Sequence, residues 1–449
     1  MRRSLTTMRV RSTHNSDGRA VATGRMTLFQ ASGLMLAGRL LGQGMEVLSH
    51  FILARGLGPL TYGLYRVLLE VVQALGAFAR LGSDSAALVL IPRYQAKRQG
   101  ADTWAIVCWS LTLPVLTGLL FTAVAWGAAP ILAVCCVGGL SVRAVRLAAM
   151  LVPVHALLLG AGATTRGFQV LLPQLTTVYL IGPGVKLLLV VSLLSWGLMG
   201  ALSATGLGTG VGAGVAMGWL LRLAGSARAV GSRRPAHGLR TLASTAWPLF
   251  LGDLLSLIVL RTSVFLLAAN RPVEEVGIYG VALQVANQIL FIGEASVALM
   301  TPKAAWHWAR GEYGDVRQLL RQARRAALAF ALPTLAAFVL LGLPALGLLG
   351  PAYRAGYRPL LLLGAGHTLA ASLSGAGWGL IATGRTRWWL ADLAVAGVVH
   401  LIAGIVLIPS LGMVGAALAQ AGSLVLLYLI AWQQITRLVA AQLSETTQA

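Results

Sequence analysis

The chain has 449 residues, is 57% hydrophobic and only 11% charged, yet carries a formal net charge of +22. A water-soluble domain of this length does not combine so large an apolar fraction with so few charges, so the composition describes a polytopic membrane protein. The positive charges form no single basic face or helix; they fall in short breaks between apolar runs, which argues against a nucleic-acid partner and suits a protein oriented by its loops.

In chain order, a basic N-terminal tail, 1–27, leads into an all-α array. Runs long enough to cross about 30 Å of hydrocarbon predict twelve spans. Six lie near 28–53, 61–85, 104–127, 144–162, 169–191 and 198–221, and six near 244–267, 276–300, 326–348, 358–381, 388–408 and 413–435. The first run, interrupted by Arg39 and Glu46, is too long for a cleaved signal peptide. The start of the fourth, Gly138 to Arg146, reads as a loop or a re-entrant turn. The basic stretch 222–243 reads as a cytoplasmic linker, 301–325 as a short amphipathic helix on the membrane surface, and 436–449 as a cytoplasmic tail. Cys108, Cys135 and Cys136 have neither ligand nor disulfide spacing and read as packing residues.

With the N-terminus inside, the inner segments hold 24 Lys and Arg and the outer segments 6. That bias predicts a multi-pass protein of the cytoplasmic (inner) membrane with both termini cytoplasmic. A repeat points the same way. Leu53 to Tyr65 returns in degenerate form at Leu267 to Tyr279, keeping its Gly-x-Tyr ending, an offset of about 214 residues. Gly197-Leu-Met-Gly200 returns as Gly412-Met-Val-Gly415 at nearly the same offset. Six spans per half is an even number, so the halves enter the membrane the same way round. The expected architecture is two parallel six-helix lobes, 28–221 and 244–435, around a path at their interface.

Three elements resemble the polysaccharide flippases of the multidrug/oligosaccharidyl-lipid/polysaccharide exporter superfamily. They are Leu53-Ala-Arg-Gly-Leu-Gly-Pro59-Leu-Thr-Tyr62-Gly-Leu-Tyr65, Gly350-Pro-Ala-Tyr353-Arg-Ala-Gly-Tyr357, and Leu407-Ile-Pro409-Ser-Leu-Gly412-Met-Val-Gly415-Ala-Ala-Leu418. The resemblance implies a V-shaped bundle that moves lipid-pyrophosphate-linked oligosaccharide across the cytoplasmic membrane. Its implied surroundings are membrane lipids and polysaccharide polymerase or export proteins.

An ionisable side chain in hydrocarbon costs roughly 2.5–3.5 kcal/mol on insertion scales, so one that persists faces protein or water. Arg39, Arg66, Arg80, Lys186 and Arg261 fall within spans and are the candidate ligands of an anionic head group. Arg66 with Glu70, and Arg80 with Asp84, are four apart on one helix face and read equally well as internal salt bridges. Arg39, Lys186 and Arg261 have no acid three or four residues away, which favours them as ligands. Glu46, Glu70, Asp253 and Glu294 are the candidate groups for coupling to H⁺ or Na⁺; Asp253 is preferred because it stands opposite Arg39 at offset 214. His155 and His367 read first as core histidines, and the span-end aromatics Tyr62, Tyr65, Tyr279, Tyr353, Tyr357, Trp388 and Trp389 as an interfacial belt.

No phosphate-cradling Gly-x-x-x-x-Gly-Lys or zinc-ligand pattern appears, so no cofactor is expected. Two other readings compete. A multidrug exporter of the same superfamily would want an acidic cavity for cationic drugs, whereas the lone span charges here lean basic. A polytopic glycan polymerase or ligase would need a sizeable outer loop carrying acids or bases, and every predicted outer loop is short. A scaffold for a synthesis complex is a third option.

Overall fold

The computed structural model describes residues 28–135, 140–170, 172–228, 238–298 and 300–448, all of whose regular structure is helical. The expected tail 1–27 and the middle of the expected linker, 229–237, lie outside the described residues. The first half runs α1 (Leu28–Arg80), α2 (Ser83–Ala96), α3 (Gly100–Cys135), α4 (Val142–Gly167), α5 (Leu172–Gln174), a π-helical stretch (Leu175–Ile181), α6 (Gly182–Leu193), a 3₁₀ turn (Leu194–Trp196) and α7 (Gly197–Arg228). The second half runs α8 (Leu239–Asn270), α9 (Val273–Ala298), α10 (Thr301–Ala309), α11 (Tyr313–Leu349), a 3₁₀ stretch (Pro351–Gly356), α12 (Tyr357–Leu373), α13 (Gly375–Ala382), α14 (Thr386–Leu411) and α15 (Met413–Gln448).

Eight stretches among the described residues are long and apolar enough to cross a membrane, or nine if α1 and α2, bent by 41° at their junction, form one broken span. This is fewer than the twelve expected. Part of the difference lies in long stretches that contain a break: 172–226 counts as a single stretch, although Gly197 (φ 59°) interrupts it. Likewise α1 is two helical bodies joined at Gly58 (φ 73°, ψ 170°), a conformation open to glycine and costly for other residues. Pro59 then starts the second body, where its missing N–H costs nothing.

Several sequence boundaries move. The fourth span begins as a capped helix at Val142, where Ser141 Oγ accepts from Ala144 N at 3.1 Å, and residues 136–139 before it lie outside the described residues. The stretch 301–325 is α10 followed by the first turns of α11, divided at Gly311 (φ 74°). Helix α7 continues to Arg228 and α8 begins at Leu239, so both ends of the expected linker are helical, as is 436–448 at the end of α15. The belt reading fails for four of the tyrosines: Tyr62, Tyr65 and Tyr279 are fully buried and Tyr353 is 1% exposed. All four belong to one buried core cluster, and a belt residue would face lipid head groups instead.

Neighbour relations recur between the halves. Helix α4 packs on α3 and α7 as α12 packs on α11 and α15, and α6 lies against α7 as α14 lies against α15. The left-handed backbone positions recur too. Gly197 (φ 59°, ψ −134°) and Gly412 (φ 55°, ψ −129°) adopt one conformation 215 residues apart. Arg98 and Gly311, and Gln169 and Gly384, are further positive-φ pairs at 213 and 215.

Where α1 crosses α9, the contact is reciprocal. A Cβ on Gly63 would lie 2.2 Å from Val273 O, and a Cβ on Gly277 would lie 2.1 Å from Pro59 O. Both pairs, Gly63 with Gly277 and Pro59 with Val273, are 214 apart, so each side offers the other the same patch, as two-fold contacts do. Backbone cannot yield as a side-chain tip can. Gly63→Val or Gly277→Val is therefore expected to destabilise by about 1–3 kcal/mol or more, read as a lower melting temperature in detergent, whereas Gly44→Val, with open space around it, leaves it unchanged.

Candidate functional site

Along α1 the charged and aromatic residues fall at spacings that put them on the face turned towards the centre of the bundle. Glu46 and His50 are one turn apart in its first body; Tyr62, Tyr65, Arg66 and Glu70 follow in the second. Lys186 Nζ from α6 donates to Glu46 Oε1 at 2.5 Å, and His50 Nε2 is 3.2 Å from the same oxygen. His50 Nδ1 lies 2.9 Å from Tyr62 OH. The rings of His50, Tyr62 and Tyr65 form a triangle with 6.0 Å between each pair of centroids, and Tyr65 OH is 2.9 Å from Thr205 Oγ1 of α7.

The second cluster joins the halves. Arg66 pairs with Glu70, and Arg261 Nη1 from α8 donates to the other carboxylate oxygen, Oε2, at 2.6 Å. Glu70 and Arg66 are buried, while Arg261 keeps 35% exposure. Arg66 passes over Gly280, where a Cβ would come within 2.9 Å of its Cγ. Taken together, Glu46, Glu70, Lys186, Arg66 and Arg261 hold one more cation than carboxylate, and the guanidinium that reaches accessible space is Arg261.

Next to the first cluster is a cavity of about 200 Å³ whose lining includes Glu46, Lys186, Gln73, His155, Thr209 and Tyr179 beside Leu158 and Val178. Its wall includes the π-helical stretch, and such stretches widen a helix locally and often occur at functional sites. A separate crevice of about 490 Å³, lined by apolar side chains such as Val67, Val71, Leu132, Val152 and Phe265, lies between α1, α3, α4 and α8.

The structure thus brings four of the candidate cations to acids. Lys186 and Arg261, which find no partner on their own helices, find Glu46 and Glu70 on α1. Arg66 and Arg80 pair with Glu70 and Asp84 along α1 and into α2. Arg39 forms no ion pair among the described residues; its guanidinium sits 5.0 Å from the centroid of the Tyr179 ring. Asp253 lies within electrostatic reach of Asp84 and Arg80 rather than of Arg39. Glu294 is on α9, with its side chain outside the described residues. His155 lines the cavity and His367 is fully buried.

Sequence reasoning missed a neutral network in the second half. Ser263 Oγ donates to Gln420 Oε1 at 3.0 Å and lies 3.2 Å from His400 Nε2, and Ser423 Oγ is 3.0 Å from His400 Nδ1. Lys186 and His400 are 214 apart, and Thr205 and Gln420 are 215 apart. That offset was the available signal: it places the neutral network where the first half has its charged one.

The family described as polysaccharide biosynthesis protein matches residues 28–301, more than half of the chain. No curated protein matches the sequence significantly. Among solved structures, an inward-facing multidrug-resistance MATE family transporter of the MOP superfamily is similar with a TM-score of 0.76 at 16% identity, covering 93% of this chain and 100% of the other. The lipid II flippase MurJ, in an inward closed conformation, gives 0.68 at 12% identity, covering 90% and 87%. A MOP superfamily transporter from Pyrococcus furiosus gives 0.67 at 16%, covering 92% and 96%. At these identities the structures establish the fold alone, and the sequence match establishes the family. The chain is therefore a member of the polysaccharide biosynthesis protein family, with a fold similar to that of the MATE and MurJ structures.

Proposed function

We propose that the protein is a flippase that moves a lipid-pyrophosphate-linked oligosaccharide across the cytoplasmic membrane, by alternating access coupled to an ion gradient. The observation that carries this reading is Arg261: a partly exposed guanidinium at the meeting of the two halves, in a cluster with an excess of positive charge. A guanidinium can engage two phosphate oxygens at once. Arg39, stacked on Tyr179 without an acid, is a second ligand for the same head group. The 490 Å³ apolar crevice beside Val67 and Phe265 gives a hydrocarbon chain a place next to it. Membership of the polysaccharide biosynthesis family supports the sugar as cargo.

In this reading the chain has twelve spans and two parallel six-helix lobes, 28–221 and 244–435, that rock about the α1–α9 contact. The recurrence of left-handed positions and the reciprocal Gly63–Gly277 packing support it. Both termini are cytoplasmic. Thiols introduced near Arg271 and Arg354 should label from outside and those near Arg234 and Arg321 should not; external labelling of 229–237 would contradict the arrangement.

The coupling group is a carboxylate that can exchange a cation for H⁺ or Na⁺. Glu46 lines the 200 Å³ cavity and meets Lys186 and His50, and Asp253 lies apart from any paired cation of its own helix. Glu46→Gln or Asp253→Asn should slow gradient-driven movement while leaving head-group binding intact. Normal coupled rates in both variants would remove these residues from the mechanism.

A multidrug exporter is the second reading, favoured by the likeness to the multidrug-resistance transporter fold. Binding measurements separate the two: the flippase reading expects an anionic pyrophosphate to compete and an organic cation not to.

A further inference from the structure

At the end of the bundle near α10, three arginines line one crevice of about 380 Å³ between α11 and α15. Arg317 and Arg321 lie one turn apart on α11, and Arg437 faces them from α15. Trp432 and Thr436 form a wall, and Leu320 and Val439 make an apolar floor. The Arg324 guanidinium lies over the Trp432 ring, 5.6 Å from its centroid.

The three guanidiniums are exposed and make no ion pair among the described residues. Like charges one helical turn apart repel, so the arrangement calls for an anion. The acids at the start of α11 are committed elsewhere. Glu312 accepts from Arg310 Nε at 2.8 Å and lies 2.7 Å from His307 Nδ1, and Asp315 is 3.6 Å from the same ring nitrogen. Those hydrogen bonds, from His307 first and then Arg310, hold the Glu312 carboxyl below the usual range. No acid among the described residues neutralises the crevice by an ion pair.

Its depth indicates what does. On α11 the strongly exposed apolar surface begins at Phe330 and Leu332, 55% and 52% exposed. Nine residues at about 1.5 Å rise put Arg321 about 14 Å from Phe330 along the axis. On α15, Leu429 is 42% exposed, two turns before Arg437. The arginines therefore sit where lipid-facing helix gives way to water, with an aromatic at the boundary, the level of phospholipid phosphates.

We propose that this crevice binds the phosphate of an anionic glycerophospholipid, with the arginines on the phosphate and the apolar floor under the glycerol end of the acyl chains. The site is separate from the Arg261 cluster and holds whether or not the protein is a flippase. It fixes α11 to α15 when occupied.

The test is thermal unfolding of the full-length protein in neutral detergent, titrated with phosphatidylglycerol, phosphatidylcholine or inorganic phosphate. Phosphatidylglycerol should raise the melting temperature of the wild type, phosphatidylcholine should not, and the triple variant Arg317→Gln/Arg321→Gln/Arg437→Gln should need at least tenfold more lipid for the same rise. Two controls keep the outcome decisive. A triple variant of other exposed arginines, Arg222→Gln/Arg240→Gln/Arg387→Gln, should respond as wild type; an equal loss there means diffuse charge attraction and overturns the site. A charge-preserving Arg437→Lys variant should retain most of the response even if the triple Gln variant folds poorly, and its failure to do so in a folded protein likewise overturns it. An equal rise with inorganic phosphate alone would make this a free-anion site and overturn the lipid assignment.

Discussion

Glu70→Ala is expected to destabilise the folded protein by about 3–5 kcal/mol, the cost of breaking a buried ion pair by removing one partner. Glu70 is 2% exposed and is the counter-ion of two guanidiniums at once, Arg66 beside it and Arg261 across from it. Without the carboxylate, Arg66 is left charged in the interior, with Gly280 packed against its stem and no other ion pair among the described residues. Arg261 suffers less, because it is partly open to solvent. The expected readout is a large fall in melting temperature and in detergent-extracted yield. Glu70→Gln should fall nearly as far, since it keeps the shape and loses the charge. The double variant Glu70→Gln/Arg66→Met should recover much of the loss by removing the stranded cation, a coupling that a double-mutant cycle measures. If Glu70→Gln melts like wild type, the pair does not hold the halves together.

Arg261→Ala should have the opposite profile, with near-normal protein levels and transport lost. Glu70 keeps Arg66 when Arg261 is removed, so no buried charge is orphaned. A charge-assisted hydrogen bond contributes about 1.5–3 kcal/mol, so losing the fork at the head group should weaken its binding by about 10- to 100-fold. Arg261→Lys should rescue partly, because an ammonium keeps the charge and loses the two-pronged geometry. Wild-type transport by Arg261→Ala would make the cluster purely structural.

The contrast between these two residues shows what the sequence makes legible. Helix positions could be read because apolar runs and their punctuation are local, and Arg66–Glu70 and Arg80–Asp84 could be paired because four residues make one turn. Lys186–Glu46 and Arg261–Glu70 could not, since the partners are 140 and 191 residues apart and depend on how helices pack. Tyr62, Tyr65 and Tyr279 look like belt residues by position alone; their burial follows from the α1–α9 crossing, which requires glycine at 63 and 277 on both sides. The widened π-helical stretch at Leu175–Ile181 has no local signature beyond Pro173 and Pro183 flanking it. The two-fold offset was the one long-range signal in the sequence, and it also marks His400 and Gln420 as counterparts of Lys186 and Thr205.

The central claim is best tested in proteoliposomes holding the purified protein and a lipid-pyrophosphate-linked oligosaccharide, with its appearance in the opposite leaflet followed over time. The account predicts movement well above protein-free vesicles, slowed when the proton or sodium gradient is collapsed and absent with Arg261→Ala. Movement no faster than in protein-free vesicles, or movement indifferent to collapse of both gradients, would contradict it.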